Sequence, residues 1–168
     1  EKLIALIRTE NLRTIDEVLP RLPQDLRDRY VLMYRSRSLQ KAEFQKPRAI
    51  LFEGDTSFLL GFGDASLPGG DKLETIQFRE ADKRWEFREI AFAPGQEPRV
   101  SEPNPRKCLE CHQSASRIEA DPRPNWEPYN IWPGAYAGLD GETKSVFNTR
   151  YLADRLRPED APMIEQQL

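Results

Sequence analysis

Both cysteines of the chain and its sole histidine fall within five positions, Cys108-Leu109-Glu110-Cys111-His112, inside the stretch PRKCLECHQSA. Two thiols three residues apart, followed at once by an imidazole, have the spacing of a covalent haem site. Each thiol can add to one vinyl group of a porphyrin, and the adjacent ring can give a nitrogen to the iron. Two intervening residues let one turn of chain span the vinyl positions, which leaves the next side chain beneath the metal. Three other readings use the same atoms. A structural zinc ion wants four ligands, and with two Cys and one His it would have to borrow a carboxylate, a water or a second chain. A thioredoxin-like redox pair belongs after a strand in a βαβ setting, whereas this motif follows Glu102-Pro103-Asn104-Pro105. The plainest alternative is a local disulfide, or inert thiols beside an unrelated histidine.

Cys108 to His112 resembles the haem-binding motif of c-type cytochromes. That resemblance implies one covalently attached haem c with His112 as proximal ligand, in a protein matured in the periplasm or otherwise exported. It covers five residues, so it implies a cofactor and not a fold. Helices first, strands next and the motif late is unlike the small all-helical cytochromes c. The order is more similar to the cytochrome c′-beta type, in which a β-sheet packs on the haem and the motif lies toward the C-terminus. The longer pattern, NPRKCLECHQ with RPNWEPYNIWPGAY, also resembles exported bacterial proteins with a single haem c.

A proximal imidazole needs an acceptor for its Nδ1–H. In small cytochromes c a proline carbonyl downstream serves, and Pro122 and Pro124 stand in similar places here. The sixth iron position has no second histidine available in the chain. Met163 and Met33 are the sulfur candidates; otherwise the distal site is open or water-filled, covered by an aromatic side chain. Phe58, Phe62, Phe78 and Phe87 alternate along the expected strands and offer such a cover, though alternating aromatics are by default simple core. Arg117, Arg123 and the Trp126 indole can donate to haem propionates, with solvated loop arginines as the competing reading. Trp132 and Tyr136 suit the rigid walls of a flat porphyrin.

These residues need a scaffold, and the pattern predicts an α+β fold in a single domain spanning 1–168. The helical part covers 1–46, the sheet 47–93, and the haem-attachment segment and tail 94–168. Leu3, Ile4, Leu6 and Ile7 form one apolar stripe, and Thr14 with Glu17 has the capping-box spacing of a second helix start. Pro20 and Pro23 end that helix. Leu26, Tyr30, Met33 and Tyr34 recur at helical spacing, which predicts a third helix over 24–43. Alternation then predicts an antiparallel meander of about four strands with helices on one face. These strands cover 49–52, 58–62, 73–80 and 84–92. In the last, the apolar alternation slips from Trp85 and Phe87 to Ile90 and Phe92, which predicts a bulge near Arg88. Eight of the fourteen prolines lie between Pro94 and Pro133, so that segment should be irregular but stiff. A short C-terminal helix is expected over 149–156, started by Asn148, and a weaker one after Pro158.

A formal charge of −3 and a pI near 5.4, with bases interleaved among acids, give no footprint for nucleic acid. No apolar run approaches the ~20 residues of a membrane span. The C-terminal Glu165-Gln166-Gln167-Leu168 carries no stop or anchor signal, which fits the front part of something longer. No nucleophile–base spacing or phosphate loop marks an enzyme class. The expected function is redox or electron transfer by a mono-haem protein with a redox partner. The alternative is a five-coordinate haem that binds nitric oxide, carbon monoxide or peroxide as a sensor or peroxidase-like protein. A third reading makes the haem chiefly a folding staple.

Overall fold

The computed structural model describes residues 2–33, 38–54 and 57–112, together with the backbone of 135–137. The fold is mixed α+β. Three short helices open it: α1 (Lys2–Thr9), α2 (Ile15–Val18) and, after a 3-10 turn at Leu19–Arg21, α3 (Gln24–Arg27). The stripe on α1 buries Leu3 and Ile7. The capping box is formed at α2: the Thr14 hydroxyl accepts from Glu17 N–H, and the Glu17 carboxylate accepts from Thr14 N–H. Glu17 also accepts from Arg13 N–H at 2.6 Å, the chief reason its carboxyl is held below the usual range. Pro20 lies in the 3-10 turn and Pro23 caps α3, so each proline interrupts helix as expected.

One antiparallel sheet follows. Strands β1 (Tyr30–Met33), β2 (Arg48–Phe52), β3 (Phe58–Phe62), β4 (Lys72–Arg79), β5 (Arg84–Ala91) and β6 (Arg99–Val100) pair in chain order, and β7 (Ala135–Ala137) adds beside β1. The sheet is thus longer than a four-stranded meander, and the third helix predicted over 24–43 is replaced by α3 and β1. The apolar spacing around Tyr30 misleads because β1 is buried from both sides. Tyr30 and Leu32 pack with the helices, while Met33 and Val31 pack on the opposite surface. Such a strand gives an unbroken apolar run with no period of its own, so the boundary of the helical part at 46 falls too late.

A change of buried face accounts for the slip in β5. Its register with β4 runs without interruption from Arg84↔Arg79 to Ala91↔Lys72, so there is no bulge near Arg88. Trp85, Phe87 and Glu89 face one way and Ile90 the other, with Phe92 continuing that second side. The helix-side surface is one row of paired side chains, Leu32, Ala49, Phe62, Leu73, Ile90 and Val100, crossing six strands. Most of it is buried under Leu3, Ile7, Leu12, Ile15, Val18, Leu19, Leu22 and Leu26.

The opposite surface is divided. From β1 across to β5 it carries an apolar cluster of Met33, Ile50 and Leu59, flanked by Phe52, Ile76 and Trp85. Beside that cluster it is ionic. Arg48 on β2 reaches across β3 to Glu74 on β4, with Nη2 2.7 Å from Oε2. It can do so because the residue beneath is Gly61; a Cβ there would lie 2.5 Å from Nη2. Arg48 Nε donates to Gln40 Oε1 at 2.7 Å, and the fully buried Gln40 donates to the carbonyls of Lys72 and Gly61. Burial draws the Arg48 pKa down, and the Glu74 charge opposes that shift.

A buried ion pair broken on one side leaves the other charge stranded, a loss of ~3 kcal/mol or more. Glu74→Ala is therefore expected to destabilise the chain by about 3 kcal/mol in urea unfolding, against about 1 kcal/mol for loss of the helix cap in Thr14→Ala. Equal losses would show that the Arg48 guanidinium is hydrated in solution.

Candidate functional site

Helix α4 (Arg106–His112) carries both thiols and the imidazole. It lies on the surface of the sheet away from α1–α3, because its contacts are with Phe87 and Glu89, whose side chains point opposite to Ile90. A helix interior that brings positions i, i+3 and i+4 to one side places Cys108, Cys111 and His112 together. The imidazole stacks on the ring of Phe87, with centroids 4.5 Å apart and an interplanar angle of 26°. Phe87 is itself buried, at 2% exposure, so the imidazole rests on a fixed surface. His112 Nδ1 is out of contact with solvent. Cys108 is half-buried and Cys111 exposed, and both thiols are free.

Ser101, Asn104 and Lys107 dock the segment that carries these groups. Ser101 N–H donates to the Glu89 carbonyl at 2.8 Å, and its hydroxyl accepts from Glu89 N–H at 3.0 Å. Asn104 does the same at Phe87: its N–H donates to the Phe87 carbonyl at 2.8 Å, and its Oδ1 accepts from Phe87 N–H at 2.9 Å. Within α4, Lys107 Nζ donates to Glu89 Oε2 at 2.5 Å. Glu89 also meets Lys72 at 3.4 Å and stands opposite Glu74 in the β4–β5 register.

The Cys108 thiol is pushed up to about 11, first by burial and then by the Glu74 charge; Lys107 opposes the rise, and Glu89 and Cys111 add to it. A dithiol oxidoreductase works through a cysteine whose pKa is lowered. Cys108 is arranged in the opposite sense. Among the described residues, no group of three or more His, Cys, Asp and Glu side chains is placed to hold a metal ion.

The four expected aromatics separate. Phe87 lies under His112, and Phe78 packs edge-on to Trp85 at 5.3 Å on the same surface. Phe62 and Phe58 belong to the helix-side core and do not meet α4. Met33 is buried on β1, four strands from β5 in the sheet order, a separation of about 19 Å at normal strand spacing. The chain does not bring it to His112. Tyr136 lies in β7 paired in register with Leu32. Arg117, Pro122, Arg123, Pro124, Trp126, Trp132 and Met163 lie outside the described residues, as do the expected helices over 149–156 and after Pro158.

Asn104, Lys107 and Glu89 are neighbours of the candidate site that residue chemistry alone does not single out. The Asn104-Pro105 dipeptide was an available signal, since it favours turn initiation. No protein-family model, curated protein or solved structure matches the chain.

The asymmetry of the two thiols is measurable. In the folded, haem-free chain at about pH 8, iodoacetamide is expected to label exposed Cys111 well before Cys108. Labelling of Cys108 should climb as pH rises toward about 11, and urea should abolish the difference. Equal labelling in the folded chain would show that α4 is not docked.

Proposed function

We propose that this chain is a mono-haem c-type protein of redox or electron transfer, matured outside the cytoplasm, with haem c joined through Cys108 and Cys111 and His112 as its proximal ligand. The observation that carries the reading is the placement of all three side chains on α4, with the imidazole seated on the buried Phe87 ring. Bound haem c would supply a one-electron Fe(III)/Fe(II) couple. The chain's own residues supply orientation and field. Phe87 restricts the tilt of the His112 ring, and a restricted ring presents its outer nitrogen in one direction. Glu74 and Glu89 favour positive charge in their neighbourhood, and Arg48, Lys72 and Lys107 pair with them. The raised Cys108 pKa does not suit the attacking thiol of a dithiol oxidoreductase.

A five-coordinate haem that binds a diatomic ligand or peroxide is the second reading. The placement of Met33 favours it, because one of two sulfur candidates for the sixth position is committed to the β1 cluster. For peroxide chemistry the proton-transfer role would fall to a carboxylate or arginine, since the only histidine is proximal. The expected partner is then a small ligand rather than a redox protein. Among the described residues no helix is long and apolar enough to cross a membrane.

Co-expression with a haem c maturation system decides between these. The matured chain should gain the mass of one haem and give a c-type pyridine haemochrome. Cys108→Ala or Cys111→Ala should leave at most one thioether bond. A ferrous spectrum unmoved by carbon monoxide indicates electron transfer, and a shifted Soret band indicates the five-coordinate site. Colourless protein of unchanged mass would end the assignment.

A further inference from the structure

The segment between β6 and α4 follows the free edge of β5. β6 pairs only with Ile90 and Ala91, so the outward backbone groups of Glu89 and Phe87 have no strand beside them. Ser101 takes those of Glu89, and Asn104 takes those of Phe87. At Asn104 the chain then leaves the edge with a φ of 56°, and α4 begins two residues later. A left-handed residue with a short side-chain acceptor is a combination that asparagine meets well, aspartate next, glycine in backbone only and alanine in neither respect.

Phe87 is therefore held twice by the same segment, through its backbone by Asn104 and through its ring by His112. Helical side chains lean toward the helix N-terminus. The ring of His112, the last residue of α4, leans back toward the strand from which the helix started. We propose that Asn104 is the positioning residue of the site. By bonding both backbone groups of Phe87 it fixes the origin of α4 relative to the ring on which α4 ends, and so sets the seating of His112. Lys107 also ties α4 to β5, but through a flexible side chain that is 38% exposed, which holds the helix close without fixing its axis. The purpose of that seating rests on the haem reading above; the seating itself is measurable without haem.

The test uses the full haem-free chain and its matured form. In the parent, a nuclear Overhauser contact should connect the ring protons of His112 and Phe87. Asn104→Asp should keep it, while Asn104→Gly and Asn104→Ala lose it with the Leu73–Ile90 core contacts intact. Ser101→Ala removes a hydrogen bond from the same edge, at Glu89, and should leave the ring contact in place. Persistence of the contact in both Asn104→Gly and Asn104→Ala would overturn the inference, as would its equal loss in Ser101→Ala. If the glycine and alanine variants do not fold, loss of the contact in a folded Asn104→Asp chain overturns it instead. In matured protein, the highest ferric electron paramagnetic resonance g value should move in Asn104→Gly and return in Asn104→Asp. A chain with the ring contact but no haem defeats only the functional reading. Normal haem attachment with an identical g value in every variant defeats only the role of Asn104.

Discussion

Burial of β5 on both surfaces is the constraint from which the rest of the molecule takes its geometry. Ile90, with Phe92 beyond the strand end, anchors the helix-side core, and Phe87 on the reverse provides the floor for His112. A strand pinned from two sides cannot slip by one residue without exchanging its buried faces. The position of the imidazole is consequently tied to the packing of α1–α3 on the far side of the sheet. The helices contribute to the site without touching it.

The second element of the arrangement is a charge layer laid across the sheet on the α4 side. Glu74 and Glu89 stand side by side, Arg48 pairs with the first and Lys72 and Lys107 with the second, and Gln40 satisfies the Arg48 donor that Glu74 does not. Partly buried charges are tolerable only when such a set is completed. Gly61 makes completion possible by leaving room for the guanidinium to pass over β3. The result places two carboxylates near Cys108, with Lys107 opposing their effect on the thiol. The raised thiol pKa is accordingly led by burial, with charge in second place.

Much of this was legible in residue order. The α1 stripe, the capping box of Thr14 and Glu17, the prolines that interrupt the helices and the four strands β2–β5 all have local signals, and all are present. β1 has no period to detect because all four of its residues are apolar, and in β5 the buried apolar side changes between Phe87 and Ile90 with no break in register, which in residue order looks the same as a bulge. Leu26, Tyr30 and Met33 matched helical spacing by coincidence with that run. At the site, the cysteines and histidine announced themselves by spacing. Phe87 could not be told from Phe62, since the two differ only in which surface of the sheet they face. Asn104, Lys107 and Glu89 become neighbours only through the β5–β6 turn, a tertiary relation that short-range pattern does not carry.

The free edge of β5 has a further consequence. Unpaired N–H and C=O groups along an otherwise regular strand are a template for another chain to add to. At Phe87 and Glu89 that template is filled by Asn104 and Ser101, side chains and backbone of the very segment that leads into the cysteine helix. Undocking α4 far enough to release Asn104 would therefore do two things at once, unseat the imidazole and open a sticky border on the sheet. Correct assembly of the cysteine helix and protection from intermolecular strand addition are secured by the same few hydrogen bonds.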